Sequence, residues 1–465
     1  MAPDLQSFLA QIERDHPQWI ERVREPVDIQ SHEATAYLQH LENRGEQRMV
    51  LFENVRTLNG EPSPFPLLYN SFVTRDLCAL AIGLDPSQSL MGLSGEFARR
   101  ELTSGPLTTV SPAEAPCKEV VWRGKDADVG RLPIGMHHTL DVAPYFTMTC
   151  IMKALSGDFY DITFNKNMYQ GPQRMSVSAH AHHHLDNIVK EYEREDKRAP
   201  IVIVLGHHPA FYLASCCMTP YGNDDYATLA AFLDGGLRLT PSETWGKDFL
   251  VPADSEIIIE GEIPPGVREY QNPFGEIAGY YQERGLMPVM DVTAITFRRG
   301  AIMQGIFPGH QEHFRLGAIG KEGSVYNLIK TQIPGVQAVH LPMSGCGRFT
   351  CYISMKKEFA NEPRKAAMAA FFMMPNLKCC VVVDDDVDIF TEREVMWAVA
   401  TRTWWDQDVE IIDRVQSFRG WLGQAVGIID ATRPLDREFP IRNAIPEEAM
   451  QRTLRLLKAP ATVRR

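Results

Sequence analysis

Tyr270-Gln-Asn-Pro-Phe-Gly-Glu-Ile-Ala-Gly-Tyr-Tyr281 carries the most specific information in this chain. Pro273 and Gly275 predict a sharp turn that holds the carboxylate of Glu276 at a fixed angle. The alternating run Ser255-Glu-Ile-Ile-Ile-Glu-Gly-Glu-Ile263 ahead of it predicts a strand. These residues leave two interpretations of Glu276 open: a catalytic proton donor on a loop fixed by a rigid sheet, or a turn with an exposed glutamate.

The composition is that of a globular protein with an acidic balance. Of the 465 residues, 44% are hydrophobic and 23% are charged, and the formal net charge is −12. This charge disfavours a nucleic-acid partner or an anionic membrane surface. No apolar run approaches the roughly 18 residues of a membrane span, and the first residues lack the pattern of a signal peptide. Nine cysteines without a Cys-x-x-Cys pair predict reduced thiols and a cytoplasmic location.

Three stretches with different patterns divide the chain. Helical spacing and a short apolar strand predict a small α/β domain over residues 1–115. Runs of β-favouring residues separated by turn residues predict a β-barrel over residues 116–310. Strands and helices alternate again over residues 311–465, which predicts a second α/β domain with a terminal helix. The predicted fold class is therefore α+β.

Polar side chains with metal-ligand chemistry cluster in two places. Four of the five residues 180–184 are histidines, and the polar segment 161–166 precedes them, following a predicted strand. One histidine with oxygen ligands from Asp161 and a second acid suits Mn²⁺ or Mg²⁺ at a phosphate better than zinc. The candidate for that second acid lies in the pair Asp224-Asp225. A solvated strand end and a helix N-cap remain the alternatives for the two clusters.

Five short motifs, in the same order along the chain, resemble the UbiD family of decarboxylases. They are Glu25-Pro-Val-Asp28, Leu51-Phe-Glu-Asn-Val55, Leu132-Pro-Ile134 with His137-His138 and Pro144-Tyr145, Asn272-Pro-Phe-Gly-Glu276, and Val383-Asp-Asp-Asp-Val-Asp-Ile389. The resemblance covers nearly the whole sequence. It implies a central split β-barrel that binds prenylated FMN, flanked by N-terminal and C-terminal α/β domains. It also implies Mn²⁺, or Mg²⁺ in its place, and in many members K⁺ beside the cofactor phosphate.

The family's metal ligands can be matched to positions in this sequence, although two of the residue types differ. A gapless match implies ligands at Asp161, His182 and Asp225, of which Asp161 stands for an Asn and Asp225 for a Glu. His183 is the alternative to His182. Another register, which needs a four-residue gap, puts Asn165 and Gln170 at the positions of the family's Asn and Arg.

The catalytic set that the resemblance implies is Lys166, Gln271 and Glu276. The family has an Arg and a second Glu where this chain has Lys166 and Gln271, so the cation loses its two-pronged carboxylate partner. Glu276 keeps the place of the proton donor. The implied contacts to the cofactor come from Thr163, Phe164, Asn165, Lys166, Ser178, Ala179, His180, His183 and His184.

The function that the resemblance implies is a non-oxidative, reversible decarboxylation of an aromatic, heteroaromatic or α,β-unsaturated acid. An FMN prenyltransferase would supply the cofactor, and the chain would form a homodimer or homohexamer through its C-terminal region. Two other functions stay open. One is a flavin-dependent oxidoreductase, since barrels of this type also host reductases. The other is a non-catalytic flavin-binding subunit, which the departures at Lys166 and Gln271 favour.

Overall fold

The N-terminal part of the chain is a four-stranded sheet with helices packed on it. The computed structural model describes residues 3–179, 183–271, 273–282, 285–415, 423–454 and 456. Within them, this part contains α1 Leu5–Asp15, β1 Ile20–Val23, α2 Glu33–Asn43, β2 Met49–Phe52, β3 Leu67–Tyr69, α3 Arg75–Ala81 and α4 Met91–Glu101. Helix α1 forms because Asp4 caps it and because its large apolar residues recur at helical spacing and are buried; these are Leu5, Phe8, Leu9 and Ile12.

The central part contains the predicted barrel. Its strands are β4 Leu107–Thr109, β5 Val120–Arg123, β6 Tyr145–Lys153, β7 Tyr160–Gly171, β8 Arg174–Ser176, β9 Ala199–Leu205, β10 Leu237–Ser242, β11 Gly246–Pro252, β12 Ile257–Ile263, β13 Arg268–Tyr270, β14 Phe274–Gly275, β15 Tyr281–Gln282, β16 Leu286–Phe297 and β17 Met303–Gln304. Helices α5 His184–Arg194, α6 Pro209–Ala214 and α7 Asp225–Ala230 interrupt them.

In the part of the chain that the structure describes, six of these strands close on themselves. Their order is β12-β9-β6-β7-β8-β16, and β16 pairs back onto β12. Strand β17 instead joins β3 in parallel and so completes the N-terminal sheet. One buried apolar cluster accordingly runs without a break from the N-terminal helices through the barrel.

The C-terminal part is a mixed five-stranded sheet with its own two apolar clusters. Its elements are α8 Gln311–Gln332, β18 Val336–His340, β19 Thr350–Met355, α9 Glu362–Met373, β20 Cys379–Asp384, α10 Glu392–Arg402, β21 Val409–Ile412, β22 Val426–Ala431 and α11 Glu447–Leu454. Among the described residues, no helix combines the length and the apolar character needed to cross a bilayer.

The predicted α+β class, with a central barrel between helix-and-sheet layers, is confirmed. The domain boundaries after residues 115 and 310 stay predictions. One local expectation was wrong: residues 161–166 lie inside β7 rather than after a strand.

Candidate active site

A cavity of about 330 Å³ lies where the barrel, the segment after β14 and the C-terminal part meet. Barrel strands β6 and β7 form one wall, helix α8 another, and the residues after α9 a third. Its lining residues are Thr147, Thr163, Phe164, Asn165, Lys166, Ser178, His183, Leu185, Met218, Glu276, Ile277, His313, Lys321, Arg348, Met373, Pro375 and Asn376. Seven of the residues predicted from sequence therefore face one space.

An ion pair between the barrel and the turn stands in this cavity. Lys166 Nζ lies 3.3 Å from Glu276 Oε1, and the side chains are 12% and 2% exposed. The Lys166 ammonium also lies 4.9 Å from the centre of the Phe274 ring. Burial of Glu276 rules out the exposed-glutamate interpretation. The pair instead presents a cation and an ionisable acid to the same space.

A tight hairpin fixes the Glu276 backbone. Strands β14 and β15 pair, and the turn between them closes by Gly279 N donating to Glu276 O and Glu276 N donating to Tyr280 O, both at 3.0 Å. The buried carboxylate of Asp141 accepts a hydrogen bond from Gly275 N at 3.3 Å and another from His138 N at 2.7 Å. The turn is thus tied to the loop ahead of β6, and this linkage limits how far Glu276 can move.

Gly275 has no room for a side chain. A Cβ at this position would lie 2.3 Å from the Cε1 and Nδ1 atoms of the His138 ring. We expect Gly275→Ala to push the hairpin and the ring apart and to lower the free energy of unfolding by about 1–3 kcal/mol. The measurement is the denaturant midpoint, and Gly285→Ala, whose Cβ would meet open space, is the matched control. Equal midpoints for the two variants would contradict this prediction.

Gln271 lies behind the cavity wall rather than beside the Lys166 ammonium. It is fully buried, accepts a hydrogen bond from Ser178 Oγ at 2.9 Å, and donates to Ser176 Oγ at 3.0 Å. Its amide nitrogen also lies 3.5 Å from the backbone oxygen of Lys166. A glutamine amide suits this environment because it can both donate and accept hydrogen bonds, whereas an ionised carboxylate can only accept them.

Asn165 and Thr147 shape the polar side of the cavity. The Asn165 amide exchanges two hydrogen bonds with the Ser178 backbone, at 2.9 and 2.8 Å, and so ties β7 to the segment after β8. Thr147 lies directly opposite Lys166 in the β6–β7 pairing. Its buried hydroxyl has no partner among the described residues. A buried polar atom that lines a cavity is a contact point for a polar ligand.

Asp161 and Asp225, two of the candidate metal ligands, do not line the cavity, and they lie close enough to each other to interact electrostatically. Asp225 accepts from Ile162 N at 2.8 Å and Thr219 Oγ1 at 2.6 Å, and Asp161 lies 2.8 Å from His184 Nδ1. Burial is the main cause that raises the pKa of Asp225 to about 6, and the Asp161 charge acts in the same direction. The hydrogen bond that His184 donates to the Asp161 carboxylate is the main cause that raises the pKa of His184. Asp224, the preceding residue, caps α7.

Five of the described residues predicted from sequence do not line the cavity, namely Asp161, Ala179, His184, Asp225 and Gln271, and two cannot be placed. Ala179 is half-buried beside it, and Asp161 and His184 face each other. His180 and His182 lie outside the described residues. Among the residues that are described, no group of three His, Cys, Asp or Glu side chains is arranged to hold a metal ion.

Several lining residues were not expected from the sequence. They come from α8 and from segments near residues 348 and 373–376, far along the chain from β7. No local motif marks them. Only a prediction of helix α8 from the sequence could have indicated some of them, because His313 and Lys321 would then lie on the same face of that helix.

Comparisons with known proteins agree over most of the chain. The 3-octaprenyl-4-hydroxybenzoate carboxy-lyase N-terminal, Rift-related and C-terminal domain models match residues 13–96, 108–311 and 315–419. The anhydromevalonate phosphate decarboxylase of Methanothermobacter thermautotrophicus is 31% identical over 292 residues, which are 63% of this chain and 68% of that protein.

Solved structures show the same relationship. The UbiD-class enzyme HmfF from Pelotomaculum thermopropionicum in complex with FMN superimposes with a TM-score of 0.88 at 32% identity, covering 98% of this chain and 99% of that one. An evolved dimeric form of the same enzyme in complex with prFMN gives 0.86 at 32% identity, with 96% and 98% covered. The chain belongs to the UbiD family of carboxy-lyases.

Proposed function

We propose that this protein is a prenylated-FMN-dependent decarboxylase of an aromatic, heteroaromatic or α,β-unsaturated carboxylic acid, with Glu276 as the proton donor. The observation that carries the proposal is the buried Lys166–Glu276 pair, 3.3 Å apart in a cavity of about 330 Å³. Such a pair places a carboxylate-binding cation and a proton source within reach of the same small molecule.

The cavity suits a flavin with polar edges. Thr147 offers a buried hydroxyl without a described partner, and Thr163, Asn165 and Ser178 add polar groups along one wall. The relatives crystallised with FMN and prFMN share this fold over nearly their whole length. Prenylated FMN would supply the electron sink that decarboxylation needs, and the protein would supply orientation and protons.

Lys166 and Glu276 would then act in sequence on the substrate. The Lys166 ammonium would bind the substrate carboxylate and orient it in the cavity. Glu276 delivers a proton from its carboxyl oxygen to the carbon that has lost CO₂, and regains one from solvent afterwards. Gln271 acts as a positioning residue through Ser176 and Ser178, because its amide does not reach the Lys166 ammonium. Burial of both acting groups keeps competing water away from that carbon.

A divalent cation would bind beside the cavity, at Asp161 and Asp225. The two carboxylates are close enough for Asp161 to raise the pKa of Asp225, so a cation between them would relieve their repulsion. His182 completes the proposed ligand set for Mn²⁺ or Mg²⁺, with K⁺ as a second ion. Metal analysis of the purified holoenzyme tests this, with Asp225→Ala as the variant expected to lose the ion.

The first test of the function identifies the bound cofactor and measures the release of CO₂. After co-expression with an FMN prenyltransferase, we expect a flavin with the mass of prenylated FMN and CO₂ release from some members of an acid panel. Steady NAD(P)H oxidation without CO₂ release would favour the oxidoreductase alternative. A bound flavin with neither activity would favour the non-catalytic subunit.

Assembly and location follow from the same proposal. We propose a homodimer or homohexamer, since one relative was crystallised in an evolved dimeric form, and a cytoplasmic enzyme with reduced thiols. Light scattering of the purified holoenzyme measures the mass of the assembly.

A further inference from the structure

A loop ahead of β6 holds both strands of the β14–β15 hairpin. The Asp141 carboxylate in this loop accepts a hydrogen bond from Gly275 N in β14 at 3.3 Å. On the other strand, the hydroxyl oxygen of Tyr281 accepts a hydrogen bond from Leu140 N at 2.9 Å. We call residues 137–141 the clamp loop. Its two contacts hold the hairpin on either side of the turn.

The Asp141 carboxylate is the centre of the clamp loop. Its side chain is fully buried, and it also accepts hydrogen bonds from the backbone N–H groups of His137 and His138 at 3.2 and 2.7 Å. Burial raises the pKa of this carboxyl, but the interactions with His138 and His137 outweigh burial and keep the pKa below its usual value. The ionised carboxylate therefore joins the backbone of its own loop to the backbone of the hairpin.

The N-terminal part of the chain holds the clamp loop from behind. Thr35 Oγ1 in α2 donates to the His137 backbone oxygen at 3.1 Å. His32 Nε2, at the start of the same helix, lies 3.1 Å from the His138 backbone oxygen, and Tyr69 OH in β3 lies 3.3 Å from His137 Nε2. Because these contacts fix its backbone, the clamp loop provides a rigid support for the hairpin.

The position of Glu276 depends on this support. Glu276 comes directly after Gly275, whose N–H donates to Asp141. A proton donor must lie within hydrogen-bond reach of the atom that it protonates, and a misplacement of about 1 Å can lower a rate by about 100-fold. Residues 137–141 do not line the cavity. The clamp loop therefore acts on the reaction through the residues that it positions.

We propose that the clamp loop positions the proton donor, with Asp141 and Tyr281 as the positioning residues for Glu276. The proposal rests on the proton-donor role proposed above and extends it to a part of the chain outside the cavity. It also makes the N-terminal layer a support of the active site, because Thr35 and Tyr69 hold the clamp loop in place. The alternative is a set of contacts that only stabilises the fold.

Asp141→Asn tests the proposal most directly. Asparagine has one acceptor oxygen where aspartate has two, so either Gly275 N or the backbone of the clamp loop loses its acceptor. In the holoenzyme, with the acid of the panel that releases CO₂ fastest, we expect kcat to fall about 10- to 100-fold and KM to stay within about 3-fold of wild type. Tyr281→Phe removes a single acceptor and should lower kcat by up to about 10-fold. It carries the same test if Asp141→Asn does not fold.

Each variant has a matched control. Asp128 also accepts a hydrogen bond from a backbone N–H ahead of β6, from Gly130 at 2.7 Å, and its other hydrogen bond comes from Asn59. Asp128→Asn should therefore leave kcat near the wild-type value. Tyr270→Phe, at a tyrosine that is 67% exposed on β13, is the control for Tyr281→Phe.

A double-mutant cycle separates positioning from a general effect on the fold. In the Glu276→Gln background, Asp141→Asn should lower turnover by no more than about 2-fold further, because no proton donor is left to position. A second loss as large as the one in the wild-type background would mean that the clamp loop acts on the fold as a whole, and it would overturn the proposal.

Hydrogen exchange provides a readout that needs no turnover. In Asp141→Asn we expect the backbone amides of residues 274–281 to exchange about 10-fold faster than in wild type, and those of β12 to be unchanged, since the released hairpin opens more often. Equal exchange rates overturn the proposal, as does an unchanged kcat in both Asp141→Asn and Tyr281→Phe. Faster exchange in an enzyme that releases no CO₂ from any acid leaves the clamp standing and counts against the decarboxylase function alone.

Discussion

Glu276→Gln lowers CO₂ release by about 10²- to 10⁴-fold, the usual contribution of a positioned general acid. Glutamine keeps the shape of the side chain and can still accept a hydrogen bond from Lys166, 3.3 Å away. It has no proton to give at the carbon that loses CO₂, so the final step fails while binding persists. The measurement is the turnover rate of the reconstituted holoenzyme, with the bound flavin quantified by absorbance and mass.

Two further variants make this result specific. Glu269→Gln removes a carboxylate on neighbouring strand β13 that pairs with Arg174 at the surface, and it should leave turnover near the wild-type rate. Glu276→Asp keeps an ionisable group with shorter reach and should be less impaired than Glu276→Gln. Wild-type turnover in Glu276→Gln, with full flavin content, would falsify the role as proton donor.

The largest expected effect on stability is at Arg75. Its guanidinium donates to Glu322 at 2.8 Å and to the backbone oxygens of Ser89 and Leu90 at 2.8 and 3.0 Å, and the Arg75 and Glu322 side chains are 8% and 0% exposed. We expect Arg75→Met to lower the free energy of unfolding by about 3–5 kcal/mol, because it removes the arginine that pairs with the buried Glu322 carboxylate. The denaturant midpoint of the purified protein measures this cost.

The pH dependence of this effect provides a check on its cause. Burial raises the pKa of Glu322, but the charges and hydrogen bonds of Arg75 and His340 outweigh burial and hold the pKa well below the usual value. Because the folded-state pKa is depressed, the stabilisation is present above the unfolded value of 4.5 and is lost as pH falls below it. The difference in the free energy of unfolding between wild type and Arg75→Met should therefore become smaller at acidic pH.

A surface arginine gives the matched control for Arg75. Arg99 on α4 pairs with Glu96 at 2.7 Å, but its side chain is 62% exposed. Arg99→Met should change the free energy of unfolding by no more than about 0.5 kcal/mol, since exposed ion pairs contribute little. Similar losses for Arg75→Met and Arg99→Met would show that burial of the Arg75–Glu322 pair has no special effect.

Sequence reasoning succeeded where the information is local. Short runs rich in β-branched and aromatic residues, bounded by turn residues, predicted β6, β9 and β12, because these residue types favour strands and the turn residues mark where each strand ends. The turn at Glu276 could be recognised because Pro273 and Gly275 restrict the backbone within a few residues. The order of short motifs along the chain was enough to indicate the family.

Helix α8 could not be found this way. Both sides of it are buried, so apolar residues do not keep to one face. Its glycines also argue against a helix, yet they are needed: a Cβ on Gly320 would lie 2.8 Å from the backbone oxygen of Cys216. The tertiary packing favours the helix over the local preference of these residues.

The sequence by itself determined the class of fold, the family and the position of Glu276, since each of these is written into short stretches of chain. Only the tertiary structure decided that Glu276 is buried against Lys166, that Gln271 contacts serines rather than the ammonium, and that Lys321 and Arg348 face the same cavity. The first two of these relations join side chains more than 90 positions apart. No local pattern encodes such contacts, because they exist only after the barrel has closed and α8 has packed against it.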